Sequence, residues 1–314
     1  MNDLDLMERF RAGTEPMSPA ARARARAGMF APEKPRPTGR WTWRLAPVGA
    51  LAAAATIAAV TVSRPAEPAP TARSVLLLAA AEARRETALP ARPDQFVYVE
   101  SYIEYHSTIT NADGSETIEP LVPKHREIWQ SADGTRDGLL RQRPRDPGIP
   151  NPDPEMANSP ISVCQGVEPG EACPVRPAYP RDLPADAAAM RAHLDRAYTG
   201  GQPADRGVFV AATDLLTEVY VPPAVQAAIF EALATVPGAQ VQEGGTDLAG
   251  RPGIAVGHVL DGARYDLIFD AGDYHYLGKR EVLVEAYRDV PAGTVNGQSA
   301  RIRVAVVDRP GDRP

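Results

Sequence analysis

Hydrophobic positions change their spacing several times along the chain. Residues 45–62 carry no charged side chain, and only Thr56 and Thr61 interrupt the apolar run. Residues 74–87 predict a helix: Val75, Leu76, Leu77 and Leu78 lead through an alanine run to Glu82, Arg84, Arg85 and Glu86. Residues 96–110, 116–121, 124–131 and 135–143 are rich in aromatic and β-branched positions with partial alternation. Asp113-Gly114 and Asp133-Gly134 fall between them as hairpin signals, so this part predicts an antiparallel meander. Helical spacing returns at 186–198 (Met190, Leu194, Tyr198), at 205–220 (Phe209, Leu215, Leu216, Val219) and from Pro223 to before Pro237 (Val225, Ile229, Phe230, Leu233). Strands are again expected at 239–244, 253–260, 265–270, 276–288 and 298–307, with turn residues between them. Strands, then helices, then strands predict an α+β domain with an antiparallel sheet packed on a helical layer.

The run at 45–62 reads as a transmembrane helix about 27 Å long, close to the hydrocarbon thickness of a bilayer. Pro47 falls in its first turn, where it is tolerated. Trp41 and Trp43 stand where interfacial aromatics stand, and Arg44 and Arg64 close the two ends. A buried core helix of this length would show a polar stripe. A cleaved signal peptide would have a shorter core and a small-residue cleavage site. Seven basic residues from Arg22 to Arg44 precede the span against Glu33 alone, which places the N-terminus in the cytoplasm and residues 63–314 outside. Residues 1–44 form an Arg-rich segment, disordered or weakly helical, with a candidate helix starting at Ser18 and Pro19. Residues 63–73 are a Pro/Ala linker, and 74–310 make the outer domain.

Net charge is −6 over 314 residues, which argues against nucleic acid as the partner of the whole chain. Beside a membrane, the basic N-terminal run is a topology signal and a contact for anionic lipid. The two cysteines, Cys164 and Cys173, lie within a Pro-rich excursion at 144–181. An oxidising compartment favours their pairing as a disulfide; two free thiols or half a metal site are the alternatives. The excursion is either a functional lid or a disordered insertion.

No phosphate loop, GxSxG elbow, HExxH or CxxC occurs. The five histidines are scattered; His106 and His125 become cross-strand neighbours only if the first hairpin pairs them. Asp270 and Asp273 read as turn residues, as do Asp247, Gly250 and Arg251, the last a candidate for an ion pair. These patterns give no support for an enzyme and imply no cofactor or metal. Residues 1–44 hold neither His nor Cys, which excludes a zinc-type anti-sigma domain there.

The stretches PMSPAARARARAGMF, REIWQSADGTRDGLL, LPADAAAMRAHL, TDLAGRPGIAV and YDLIFDAGDYHYLGKR, in this order, carry a resemblance over nearly the whole chain. It resembles a family of functionally uncharacterised actinobacterial single-pass membrane proteins often encoded beside extracytoplasmic-function sigma factors. The outer half is similar to the fold of lipoprotein carriers and envelope-stress sensors, a half-open antiparallel barrel over helices. The resemblance implies a groove for a lipid or acyl chain outside and a sigma factor or membrane partner inside. The expectation is a membrane-anchored sensor or accessory regulator; a non-sensing structural or carrier protein of the envelope is the alternative.

Overall fold

In the computed structural model the described residues are 69–106, 108–110, 116–118, 121–164, 172–173, 175–198, 204–288 and 290–314. The expected span 45–62, its flanks Trp41, Trp43, Arg44 and Arg64, the segment 1–44 and residues 63–68 of the linker lie outside them. Among the described residues no helix is long and apolar enough to cross a membrane.

The first helix, α1 (Ala72–Ala83), starts two residues earlier than its pattern predicts. Thr71 caps it: its Oγ1 accepts the Ser74 amide at 3.1 Å, and Ser74 Oγ accepts the Thr71 amide at 2.9 Å. Four consecutive apolar residues cannot share one helix face. Val75 and Leu76 are therefore buried, while Leu77 and Leu78 remain exposed.

Nine strands form one open antiparallel sheet. In chain order its strands are β1 (Phe96–Tyr105), β4 (Lys124–Ser131), β5 (Gly138–Pro144), β6 (Ser159–Ile161), β7 (Gln240–Thr246), β8 (Pro252–Leu260), β9 (Ala263–Asp270), β10 (Tyr276–Leu283) and β11 (Val295–Val307). The spatial order is β6-β5-β4-β1-β11-β10-β9-β8-β7, so β6 and β7 are the edges. The remaining strands, β2 (Thr108–Thr110) and β3 (Glu116–Ile118), pair only with each other. The long first strand expected over 96–110 is thus two strands, and β1 takes β4 and β11 as neighbours. The 144–181 excursion is partly built into the sheet: it supplies β6, and the Ala178 and Tyr179 amides bond the Ser131 and Ala132 carbonyls at 3.0 and 3.1 Å.

Helices α2 (Ala187–Ala197), α3 (Ala204–Glu218) and α4 (Pro223–Leu233) follow β6. With α1 they cover the β8–β10 half of the sheet. Phe230 of α4 meets Phe269 edge-on, with ring centroids 5.1 Å apart at 84°, and Ile254, Val256, Leu267 and Tyr276 complete the sheet side of this core. The other half of the covered face buries Val97, Val99 and Ile128 beneath Ala178 and Tyr220. The opposite face of β1 and β4 buries Phe96, Tyr98 and Trp129, and residues 312–313 strap across it. Trp129 Nε1 donates to the Asp312 carbonyl at 2.6 Å, and Arg313 holds the buried Glu127 through two bonds of 2.7 Å. Burial on both faces explains why β1 reads as a nearly continuous apolar run at its start.

Candidate functional site

The Cys164–Cys173 disulfide is formed, on an exposed part of the excursion. His106 and His125 do not face each other: the register places Tyr102 opposite His125. His125 Nε2 lies 2.9 Å from Glu100 Oε1, and its Nδ1 lies 3.0 Å from Arg143 Nη2. On the same face the Tyr98 hydroxyl donates to Glu127 at 3.1 Å. Burial, with the Glu127 and Glu100 carboxylates nearby, pushes this phenol far above its ordinary range. These groups satisfy one another and fasten the 312–313 strap. Asp270 and Asp273 do turn chemistry: Asp270 Oδ1 accepts the Gly272 amide at 2.7 Å, and Asp273 Oδ1 accepts the His275 amide at 2.9 Å. Among the described residues no group of His, Cys, Asp and Glu is arranged to hold a metal.

TDLAGRPG is a turn closed by a buried ion pair. Asp247, fully buried in its side chain, accepts the Ala249 and Arg251 amides at 2.9 and 2.8 Å and Arg251 Nε at 2.7 Å. Arg251 Nη2 then donates to the Leu277 and Arg301 carbonyls at 3.2 and 2.9 Å. These two carbonyls lie just beyond the last β10–β11 pair, Gly278–Ala300, so the guanidinium fills the gap where the strands part.

Beside that gap opens a cavity of about 270 Å³. Its walls come from the chain just after α1 (Glu86, Leu89), the α3–α4 connection (Val219, Tyr220, Val221), Gln226 of α4 and the β11 residue Arg301. Arg301 is half-buried, and its guanidinium carbon sits 4.7 Å from the Tyr276 ring centre. It donates through Nη2 to the Leu216 carbonyl. Among the described residues no carboxylate lies within ion-pair distance of it. Burial pulls its affinity for its proton below the usual guanidinium value, with partial relief from Tyr276 and Glu86. Burial likewise pushes the Tyr276 phenol up to about 12.

The Tyr220 oxygen accepts the Leu89 amide at 2.8 Å, which leaves its own hydroxyl proton free to donate. Gln226 is only 4 % exposed and lines the cavity. Glu86 Oε1 is buried without an aligned hydrogen bond, although it lies 2.9 Å from His275 Nδ1. That carboxylate holds the His275 imidazole above its ordinary value against the opposing effect of burial; Asp273 adds to the rise and Arg301 opposes it. A raised folded value means the Glu86–His275 contact is fully stabilising below about pH 6.5. The contribution is lost as pH rises through the raised value.

The sequence points to none of these cavity residues. Gln226 is the single polar position in the run AVQAAIF, and Arg301 is one of two arginines alternating along a strand. Two further spaces, of about 260 and 240 Å³, flank Pro177 beside the β4–β5 turn, and the smaller is closed by Asp133, Tyr179 and Arg181. Among the described residues the helices fill the sheet face over β8–β10, and no continuous apolar groove runs there.

No family model and no curated protein matches the chain. Among solved structures it is similar to the Pseudomonas aeruginosa MucA/MucB complex at 12 % identity and a TM-score of 0.27, over 77 % of this chain and 58 % of that one. MucB alone gives 12 % and 0.23 over 77 % and 60 %. A LolA superfamily protein from Nitrosomonas europaea gives 10 % and 0.18 over 78 % and 96 %. The chain spans less than two thirds of the MucB structures it matches. At these scores the likeness carries no argument about ligand or activity.

Proposed function

We propose that the chain is a membrane-anchored extracytoplasmic sensor or accessory regulator. In this reading residues 45–62 anchor it, residues 63–314 lie outside, and residues 1–44 meet a sigma factor or another membrane partner. One observation supports it most. The cavity that gathers uncommitted polar groups is walled by Glu86 and Leu89, immediately downstream of α1, the helix next to the proposed anchor. A ligand there touches the end of the element through which an outer event reaches the inner segment.

The size of the cavity limits the ligand. About 270 Å³ falls just under the roughly 300–1,000 Å³ of ordinary ligand sites. It suits a small amphipathic molecule or the head and first carbons of a larger one, while a whole lipid needs the helices to move. The helix-filled core over β8–β10 favours the second reading, a structural or carrier protein of the envelope.

Deleting residues 1–30 from the full chain in its native cell separates the two. The sensor reading expects altered transcription of one sigma-dependent gene set, with the protein still in the membrane fraction. An unchanged transcript profile refutes signalling through this segment and favours the structural reading.

A further inference from the structure

The cavity below α1 has more donors than acceptors. Arg301 carries five N–H groups, of which one is committed to the Leu216 carbonyl. The Gln226 side chain lines the cavity, and the Tyr220 oxygen accepts the Leu89 amide, which leaves its hydroxyl proton to donate. Against these stands one carboxylate, Glu86, which is occupied with His275. The charge of Arg251, a second guanidinium at the wall, is matched by Asp247. Arg303 is exposed and donates to the Pro314 carbonyl. A half-buried guanidinium without a carboxylate, beside the amide of a buried glutamine, is completed by a negatively charged group. The rest of the lining is Thr87 and the apolar residues Leu89, Val219, Val221, Ile302 and Val304.

We propose that this cavity binds one anionic group, a carboxylate or a phosphate, held by Arg301, Gln226 and Tyr220, with a short apolar body against Leu89, Val219 and Val304. The inference rests on the sensor reading for its purpose but not for its chemistry. Charge-assisted bonds to Arg301 supply most of the attraction, and Gln226 and Tyr220 orient the group. The Glu86–His275 contact forms the neighbouring wall. A second negative charge beside it raises the affinity of His275 for its proton further. Binding therefore strengthens the tie between the end of α1 and the β9–β10 turn.

The test titrates the purified full chain with octanoate, 1-octanol and inorganic phosphate by calorimetry, and follows the His275 ring by NMR. Octanoate is expected to bind at least about tenfold more tightly than 1-octanol and to move the His275 midpoint upward. Tight phosphate binding with weak octanoate binding identifies a free anion, while the reverse identifies an amphiphile; both satisfy the proposal. Arg301→Met is expected to weaken octanoate about tenfold or more, and Gln226→Met severalfold. Arg301→Lys is expected to retain part of the binding. If Arg301→Met does not fold, Gln226→Met decides, with its thermal melt as a control. The proposal is overturned if neither anion binds at millimolar concentration, if 1-octanol binds as well as the tighter of the two anions, or if folded variants bind that anion like the parent. A neutral ligand found at the same cavity would then leave the sensor reading standing without this chemistry.

Discussion

Replacing Asp247 by alanine is expected to lower unfolding stability by about 3 kcal/mol, the low end for breaking a buried ion pair. The low end applies because the Arg251 side chain keeps 36 % of its exposure while that of Asp247 has none. The carboxylate closes its own turn through the Ala249 and Arg251 amides, and it also aims Arg251 at the Leu277 and Arg301 carbonyls. Removing it strands the guanidinium and loosens the point where β10 and β11 part. Urea unfolding of the full chain measures the loss. The double variant Asp247→Ala, Arg251→Leu is expected to lose less than the two single losses combined, since the first change already removes the shared interaction. A loss below about 1 kcal/mol for Asp247→Ala would show that the turn holds itself without the pair.

Phe230→Ala is expected to cost about 3–5 kcal/mol and to lower the melting temperature by roughly 10 °C. Phe230 is fully buried on a helix in which nine residues are buried, and its ring packs against both Phe269 and Tyr276. No neighbour can slide in to fill the space, because the sheet side is backbone-anchored and Pro223 and Leu233 bound a helix packed along its length. Tyr276 also carries the ring face beneath Arg301. The same variant is therefore expected to weaken ligand binding at the cavity while leaving the Trp129 cluster on the opposite face intact. Thermal melts followed by tryptophan fluorescence and by far-ultraviolet circular dichroism separate these effects. A melting temperature within about 2 °C of the parent would contradict a tightly packed core at this position.

Spacing reveals the α+β order because most elements bury one face only. The helices around Met190 and Phe209 show it, while the Phe230 helix and the strands before Asp261-Gly262 and the turn at 270–272, buried more fully, are marked by the turn residues and prolines at their ends. What it conceals has physical causes. The 96–110 run looks like one strand because β1 buries Phe96 and Tyr98 on one face and Val97 and Val99 on the other, so alternation gives no clue to its partners. Nothing local tells that β11 pairs with β1 across nearly the whole domain. Strand β6, only three residues long and containing Pro160, has no readable period; it is tolerated at an edge, where a missing amide is harmless. The site was hidden for a related reason. Arg301 and Arg303 stand two apart and read as one face of a strand. A register shift opposite Glu100 and Ser101 turns them apart: Arg303 pairs with Glu100 on the strapped face, and Arg301 pairs with Ser101 on the helix-covered face. Only the fold shows that one arginine is solvated and the other lacks a counter-ion.

The decisive measurement is to find what fills the cavity in the living cell. A genetically encoded diazirine residue at Leu89, which lines the cavity, is irradiated in cells making the full chain. The purified protein is then weighed intact by mass spectrometry. A ligand-sensing domain predicts a discrete added mass from a small anionic or amphipathic molecule, reduced by Arg301→Met. Label quenched by water alone, with no adduct in parent or variant, would contradict a ligand site on this face and leave the chain a structural component of the envelope.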